Sequence, residues 1–355
     1  LFYELDGHGN SRVLNTEAGR RAYLQEAERR NTNWFKQLFQ TSVMQNHTLS
    51  FSSGNERSTY YASLSLLSDP GWQKGNKFSQ YATNLNANYN LSSKVRLGLI
   101  TDLSYRDQTA PIQDGYNYAL NHSRTLSAKD YYTTNYAPYN IFNEIDNAYI
   151  DTDIATLRIQ GQLSWKITPK LEAGLMGAIR YQSNTQKTEY KENSNSVLSY
   201  RAMPNTTVRD KNTNLYKDPN DPFALPIVAL PKGGIREKRD KTSLANNLRA
   251  TLSYKDTFAE GLHNIALFGG FEMDNAKNTN DMNRNYGLLY NAGNYASFSY
   301  LMFKKLQEEF RNYYTIADTE NNNQAFFANA SYTFNGRYTA NGTLRYDASN
   351  AFGPS

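Results

Sequence analysis

The sequence predicts an all-β protein, namely a partial antiparallel transmembrane β-barrel of about ten strands with long extracellular loops and a short N-terminal helical segment. Three observations predict this fold class. Apolar and polar residues alternate with a period of two through most of the chain. Most alternating segments run to about 9 to 13 residues, which is the length of a tilted membrane-crossing strand. Tight turns and long polar segments alternate between them, as in outer-membrane barrels.

The first predicted element is a short helix over residues 16–30, where Glu, Arg and Ala predominate and Thr16 can cap the first turn. Alternation begins after Trp34 and Phe35. In the clearest strand, residues 81–91, apolar residues alternate with asparagine. The ten predicted strands are 47–53, 59–67, 81–91, 95–106, 155–167, 171–182, 244–255, 263–275, 324–334 and 337–347.

Short and long connections alternate along this series of strands. Asn335-Gly336 is a type I′ hairpin signal between the last two strands. The predicted tight turns are 54–58, 92–94, 168–170, 260–261 and 335–336, and the predicted long segments are 68–77, 107–154, 183–242 and 276–323. Short periplasmic turns opposite long extracellular loops are typical of outer-membrane barrels, whereas three large loops in a row, here 107–154, 183–242 and 276–323, are unusual in a compact soluble domain.

Composition agrees with strands and turns and excludes several classes of protein. The 355 residues include 28 Tyr and 17 Phe, and their net charge of +5 is spread without a long basic block, so nucleic acid is not implied. There is no cysteine, which excludes disulfides and thiolate metal sites. The mean hydropathy of −0.74 is ordinary for a soluble protein, but barrel strands also average low. A soluble sandwich or an adhesin therefore remains an alternative, since any sheet with one solvated face alternates.

Two groups of motifs, near either end of the chain, carry a resemblance to a known family. The first group consists of Thr32-Asn33-Trp34-Phe35, Gln45-Asn46-His47-Thr48-Leu49-Ser50, Ser53-Gly54-Asn55-Glu56 and Tyr60-Tyr61-Ala62-Ser63-Leu64. The second consists of Arg337-Tyr338, Thr343-Leu344-Arg345-Tyr346-Asp347-Ala348-Ser349 and Phe352-Gly353-Pro354. Together they resemble the barrel of SusC/RagA-type TonB-dependent transporters. The loops between the two groups match no motif.

The resemblance implies a 22-stranded barrel with an N-terminal plug, a TonB-binding segment upstream and a SusD-like lipoprotein on the cell surface. Residues 1–45 are then expected to join the plug to the barrel, and residues 46–355 to form the N-terminal part of the transmembrane β-barrel. Neither the plug nor the TonB-binding segment is recognisable, and the start of the chain, without an initiator methionine, suggests truncation.

The function that this resemblance implies is import of a bulky nutrient, an oligosaccharide or a peptide. The expected location is the outer membrane of a Gram-negative, Bacteroidetes-like cell, and the partners are TonB, the lipoprotein and outer-membrane lipid. The alternative is a surface-exposed β-rich binding protein or adhesin without transport activity.

The polar face of the predicted strands supplies the first candidate site residues. If the apolar face meets lipid, the opposite face lines the lumen, where it can contact a plug or solute or form a wetted wall. The wetted wall is the preferred interpretation of the asparagines. The candidates are Asn84, Asn86, Asn88, Arg158, Gln160 and Gln162.

Aromatic residues in the predicted loops form the second group of candidates. Rings with nearby amides suit recognition of sugars or peptides. The candidates for substrate contact are Trp72, Tyr131, Tyr132, Tyr136 and Tyr139. The alternative is that these rings pack a long surface loop against itself.

Metal binding and catalysis find little support in the sequence. Asp151 with Asp153, and the segment 218–221, offer oxygen ligands for Ca²⁺ but lack EF-hand spacing, and turn chemistry explains the second group. The four histidines are not spaced to chelate zinc. Glu308 and Glu309 are adjacent carboxylates rather than the facing pair of a glycosidase. The sequence therefore predicts neither an enzyme nor a cofactor.

Overall fold

A computed structural model describes residues 5–6, 10–297 and 299–352 of the chain. Residues 1–4 and 7–9 at the start of the chain, and the Gly353-Pro354 pair of the second motif group, lie outside these ranges. The strands are β1 (Gln45–Gly54), β2 (Ser58–Asp69), β3 (Lys77–Asn90), β4 (Val95–Pro111), β5 (Tyr132–Thr134), β6 (Ala137–Tyr139), β7 (Ala148–Thr168), β8 (Leu171–Tyr190), β9 (Gly234–Phe258), β10 (His263–Leu289), β11 (Tyr295–Ala296), β12 (Tyr314–Phe334) and β13 (Tyr338–Ser349). The α-helices are α1 (Glu17–Arg29), α2 (Trp34–Leu38), α3 (Gly115–Asn121), α4 (Ile141–Asn147), α5 (Asn195–Leu198), α6 (Thr206–Lys211) and α7 (Tyr300–Glu308).

One large antiparallel sheet dominates the described part of the chain. Its strands follow in the order β1-β2-β3-β4-β7-β8-β9-β10-β12-β13, so each long strand pairs with its neighbours in sequence. β11 pairs with β10, and β5 and β6 form a separate hairpin within a loop. An up-and-down order of this kind needs only hairpin connections, and it confirms the all-β class with ten principal strands.

The alternation of short and long connections is also confirmed. Residues 335–337 join β12 to β13, and both Asn335 and Gly336 have positive φ angles, 49° and 62°, as a type I′ turn requires. The other short turns lie at the same end of the sheet as residues 335–337. The long connections 112–147, 191–233 and 290–313 all lie at the opposite end, called here the long-loop end, together with the connection 70–76, which is shorter than the predicted 68–77.

The predicted strands were too short towards the long-loop end, and the predicted loops correspondingly too long. β7 begins at Ala148 instead of 155, and β10 continues to Leu289 instead of 275. Residues 277–281 of β10 are polar on both faces, as at the adjacent Lys277 and Asn278, and so show no alternation, yet they pair with β9 and β12. The longest strands reach 25 and 27 residues, more than twice the roughly 10 that cross a bilayer.

The predicted N-terminal helix is confirmed as α1. Thr16 caps it, because its hydroxyl accepts a hydrogen bond from the Gly19 N–H at 3.1 Å. Within the described ranges, no helix is long and apolar enough to cross a membrane.

The buried apolar residues lie mainly in the loops rather than on the sheet. The first loop core joins α2 to the 112–147 loop and consists of Trp34, Leu38, Tyr118, Ala119, Tyr139, Ile141 and Ile145. The second joins the 191–233 and 290–313 loops to the ends of β9 and β10 and consists of Val197, Tyr200, Tyr216, Ala229, Leu230, Ile235, Tyr286, Met302 and Leu306. The long loops are therefore folded units at one end of the sheet.

Candidate functional site

Strand register brings the predicted polar-face residues of separate strands together. Asn84 on β3 lies opposite Asp102 on β4, which lies opposite Arg158 on β7, which lies opposite Arg180 on β8. Residues directly opposite in an antiparallel sheet project from the same face. This row, called here the charged row, therefore crosses four strands on one face.

The other four predicted polar-face residues occupy the two adjacent rows on the same face. Asn86 is level with Gln160, and Asn88 is level with Gln162, in each case across one intervening residue of β4. The six residues named from the sequence thus share a single surface of the sheet. Whether that surface lines a lumen stays a prediction.

Hydrogen bonds and ion pairs connect the side chains of this polar face. The Asn84 amide donates to Asp102, and an Arg158 guanidinium nitrogen lies 3.9 Å from the Asp102 carboxylate. The guanidinium also donates to Gln160. The Asp102 and Arg158 side chains are 41% and 47% exposed, so each can still contact water or a solute.

Further charged residues of the polar face were not predicted. Arg249 on β9 pairs with Glu272 on β10 at 3.0 Å, and Arg345 on β13 reaches the same carboxylate at 3.2 Å. A cavity of about 790 Å³ opens between the Arg249–Glu272 pair and the Asp102, Arg158 and Arg180 side chains of the charged row. Each of these charges comes from a different strand, so only the register of the sheet could have brought them together.

The opposite face of the same strands is apolar and exposed. On β4, Leu99 and Leu103 are 48% and 53% exposed, and Ile159 on the neighbouring β7 is 43% exposed. The pattern continues across the sheet with Leu64, Leu85, Leu97, Leu157, Leu175, Ile179, Leu244, Leu252, Leu267, Phe326 and Leu344. One face therefore suits lipid and the other suits water or polar solutes.

The predicted tyrosines of the 112–147 loop differ in accessibility. Tyr132 and Tyr139 pack against each other at 5.2 Å between ring centroids, next to Tyr118 and His122. Tyr139 is only 7% exposed. Burial raises the pKa of the Tyr118, Tyr132 and Tyr139 hydroxyls, so they remain protonated. The geometry gives Tyr139 a packing role and leaves little of its ring for a substrate.

Tyr131 and Tyr136 connect the same loop to other segments of the chain. The backbone of Tyr131 pairs with that of Leu5, and its ring is half-buried. The Tyr136 hydroxyl donates to the Lys211 carbonyl at 2.9 Å, which ties this loop to the 191–233 loop. Contact of either residue with a substrate stays a prediction.

Trp72 ends a column of stacked rings that the sequence did not predict. Its indole stacks on Phe39 at 4.7 Å with an interplanar angle of 15°, and Phe39 stacks on Phe35 at 5.7 Å. Tyr116 contacts the far side of the column, edge to face with Phe35. These four residues, called here the aromatic column, come from three separate segments at the long-loop end.

The segment before β1 lies at the long-loop end as well. Phe39 forms an isolated backbone bridge with Gln73, and the Trp34 indole donates to the Ser123 carbonyl at 3.0 Å. Residues 34–39 therefore belong to the same assembly as the loops. The expectation that residues 1–45 join a plug to the barrel stays a prediction.

The carboxylates considered for Ca²⁺ are engaged elsewhere. Asp151 and Asp153 lie inside β7, not in a loop, where they accept hydrogen bonds from Thr109 and Tyr105 at 2.7 and 2.8 Å. Asp218 accepts from the Asn220 N–H at 3.0 Å in a tight turn. Across the described ranges no group of three or more His, Asp or Glu residues is placed to hold a metal ion.

The chain shares its fold with part of a known peptide transporter. It superposes on the structure of the RagAB peptide transporter with a TM-score of 0.66 at 16% identity, covering 92% of this chain and 34% of that one. The RagAB peptide importer in its closed-closed and open-open states gives TM-scores of 0.66 and 0.64 at 17% and 16% identity. No protein-family model and no curated protein matches the sequence.

These likenesses define the class of fold. The chain spans about a third of the matched RagAB chain, and over that third the two share one fold, which agrees with the resemblance found in the sequence. The proteins it matches are transporters rather than enzymes.

Proposed function

We propose that this chain forms part of the wall and the surface loops of a TonB-dependent transporter in the outer membrane of a Gram-negative, Bacteroidetes-like cell. The transporter imports a bulky nutrient, an oligosaccharide or a peptide, with TonB and a SusD-like surface lipoprotein as partners. The shared fold with RagAB, which transports peptides, supports this assignment of class.

The observation that carries the proposal is the exposed apolar face of the sheet. Leu99, Leu103 and Ile159 represent a surface that continues across all ten strands. Apolar area in water is unfavourable by roughly 25 cal/mol per Å², and lipid tails remove that cost. The polar face, with Arg158 and Asp102, then borders the lumen, and the folded loops surround its outer entrance.

Loop residues at that entrance are the proposed contacts with solute. Trp72 is the most accessible of the predicted aromatic residues, and Tyr131 and Tyr136 lie on the neighbouring loop. Tyr132 and Tyr139 support this surface from below.

Fractionation and import assays of the full-length protein test the proposal. We expect the protein in the outer-membrane fraction, with faster gel migration before heating than after. We also expect uptake of its nutrient to stop when TonB is deleted. A protein that is soluble without detergent and migrates identically before and after heating would contradict the proposal and favour a binding protein or adhesin.

A further inference from the structure

We propose that Arg158 and Arg180 form a binding site for a carboxylate group on the polar face of the sheet. The carboxylate belongs either to the imported solute or to a segment of the same protein that occupies the lumen. This inference rests on the proposed function, in which the polar face borders the lumen. The two arginines lie directly opposite each other on β7 and β8, so both side chains project from this face.

The arrangement of the two arginines is unfavourable without a bound anion. Residues directly opposite in an antiparallel sheet have Cβ atoms roughly 5 Å apart, and like charges there are destabilising. Each guanidinium donates to a glutamine of its own strand, Arg158 to Gln160 and Arg180 to Gln182 at 3.0 Å. Gln160 and Gln182 lie on opposite sides of the row that holds the arginines, so these hydrogen bonds direct the two positive groups away from each other.

Neither arginine has a close carboxylate partner. Asp102 lies 3.9 Å from Arg158, beyond hydrogen-bonding distance, and among the described residues no carboxylate pairs with Arg180. By contrast, Arg249 on the same face pairs with Glu272 at 3.0 Å. The two positive charges of the pair and the single negative charge of Asp102 leave a net charge of +1. A carboxylate neutralises that charge, whereas a doubly charged phosphate would exceed it.

The wider polar face of β3, β4, β7 and β8 carries the same excess of positive charge. Its carboxylates, Asp102 and Glu172, already accept hydrogen bonds from the Asn84 amide and from the Ser164 hydroxyl, the latter at 2.7 Å. Its positively charged side chains are Arg96, Arg106, Arg158, Lys166 and Arg180. An excess of one sign of charge beside a cavity raises the local concentration of ligands of the opposite sign.

The pair also borders open space. Arg158 and Arg180 both line the cavity of about 790 Å³, and both side chains are exposed. Their lining neighbours Thr156 and Ala178 are small, which leaves room beside each guanidinium. A guanidinium keeps further N–H donors after it has bound one glutamine, and its planar fork matches the two oxygens of a carboxylate. A carboxylate that enters the cavity can therefore contact both arginines.

The carboxylates across the cavity are Glu272 and Asp274, and they do not compete strongly for the pair. Both lie on β10, which β9 separates from β8. Glu272 pairs with Arg249 at 3.0 Å, and Asp274 accepts from the Asn247 amide. Their charges are therefore engaged on the far side of the cavity.

Two measurements on the full-length, detergent-solubilised protein test this inference. The first is calorimetric titration with hexaglutamate and hexagalacturonate, and with hexaglutamine and maltohexaose as uncharged counterparts. If the solute supplies the carboxylate, an acidic probe should bind at least about tenfold more tightly than its counterpart. Arg180→Gln should abolish that preference. The control is Arg106→Gln, which removes the same charge from the same face but outside the cavity lining, and it should preserve the preference.

The second measurement is carbodiimide cross-linking of the Arg180→Lys variant, which joins a lysine amine directly to a carboxylate in contact with it. If the protein itself supplies the carboxylate, mass spectrometry should find the peptide with position 180 joined to a segment outside residues 1–355. If the solute supplies it, that peptide should be joined to an added acidic probe. Arg106→Lys is the control and should give neither product.

The inference is overturned if the acidic probes bind no more tightly than their counterparts and position 180 forms neither cross-link. A cross-link from position 180 to a carboxylate of the sheet, such as Asp102, would also overturn it, as would equal losses of binding in Arg180→Gln and Arg106→Gln. Heat-dependent gel migration of each variant shows that it is folded. A protein that shows this migration and imports a nutrient, but fails both measurements, would overturn the carboxylate site while the transporter proposal stands.

Discussion

Glu144 in α4 accepts a hydrogen bond from the backbone N–H of Asn195 in the next long loop, with 2.8 Å between Oε1 and N. Glu144 is 1% exposed. The Asn195 side chain donates in return to the carbonyls of Thr134 and Ala137 at 2.9 and 3.0 Å. Buried hydrogen bonds thus join the 112–147 and 191–233 loops, so we expect these loops to open together.

Replacing Glu144 with alanine should loosen this junction. Glu144→Ala leaves the buried Asn195 N–H without an acceptor, which costs about 1–3 kcal/mol. Glu144→Gln keeps an acceptor oxygen and is the matched control. Hydrogen exchange of the Asn195 amide should be faster in the alanine variant and nearly unchanged in the glutamine variant. Equal exchange in wild type and Glu144→Ala would show that the bond does not hold the loops.

The closed state of the two loops, which buries Glu144, should become more stable as the pH falls. Burial raises the pKa of Glu144, although the Asn195 N–H and the Asn143 amide oppose that shift. A carboxyl whose pKa is higher in the folded state binds its proton more tightly there, so its stabilising contribution is complete below the unfolded-state pKa. The contribution is lost as the pH rises through the folded-state pKa.

Comparison of wild type with Glu144→Gln isolates this effect, because the glutamine cannot titrate. Exchange at Asn195 should slow in wild type, relative to the variant, as the pH falls from about 8 towards the ordinary glutamate pKa of about 4.3. Parallel pH profiles for the two proteins would contradict the prediction.

Lys305 should stabilise the second loop core through its buried charge. It is 4% exposed, and its ammonium group donates to the carbonyls of Thr213 and Leu215 at 2.8 and 3.1 Å and pairs with Glu309. Lys305→Met leaves the carbonyls of Thr213 and Leu215 without this donor, which should cost about 1–3 kcal/mol for each carbonyl left unsatisfied.

Limited proteolysis of the 191–233 loop measures how far Lys305→Met destabilises the second loop core. The control is Lys304→Met, because Lys304 is 31% exposed and its 3.4 Å pair with Asp218 should contribute less than about 1 kcal/mol. Faster cleavage is expected for Lys305→Met alone. Similar cleavage rates in both variants would mean that the buried ammonium contributes no more than a surface charge.

Gly71 should control how Trp72 is presented. Its φ is +71°, and a Cβ there would lie 2.6 Å from the Asn76 Cβ, so Gly71→Ala should cost at least about 1–2 kcal/mol and displace the turn. Gly261→Ala is the control, because Gly261 also has a positive φ, +92°, but lies in a short turn at the far end of the sheet. Only Gly71→Ala should change acrylamide quenching of Trp72 fluorescence. Unchanged quenching would show that Gly71 does not position the indole.

Alternation in the sequence predicted the parts of the fold in which one face differs from the other. It succeeded for β3, where Asn84 lies opposite Asp102, and it placed Arg158 and Gln160 on the same surface. It failed beyond residue 275 of β10, where both faces are polar and only pairing with neighbours marks the strand.

The aromatic column and the loop junction could not be predicted for a different reason. Phe39, Trp72 and Tyr116 are distant in sequence, as are Glu144 and Asn195, and no local pattern specifies which loops meet. Phe35 and Phe39 at helical spacing were the one available signal, because residues four apart share a helix face.

The most direct test of a membrane-spanning wall is the accessibility of neighbouring residues on β4. Spin labels at Leu99 and Leu103, on the apolar face, and at Ile100 and Ser104, on the polar face, can be compared in the full-length protein in native outer membranes. We predict that molecular oxygen, which partitions into lipid, relaxes the labels at 99 and 103. A water-soluble nickel chelate should relax those at 100 and 104. Equal relaxation of all four labels by the nickel chelate would place both faces in water and contradict the account.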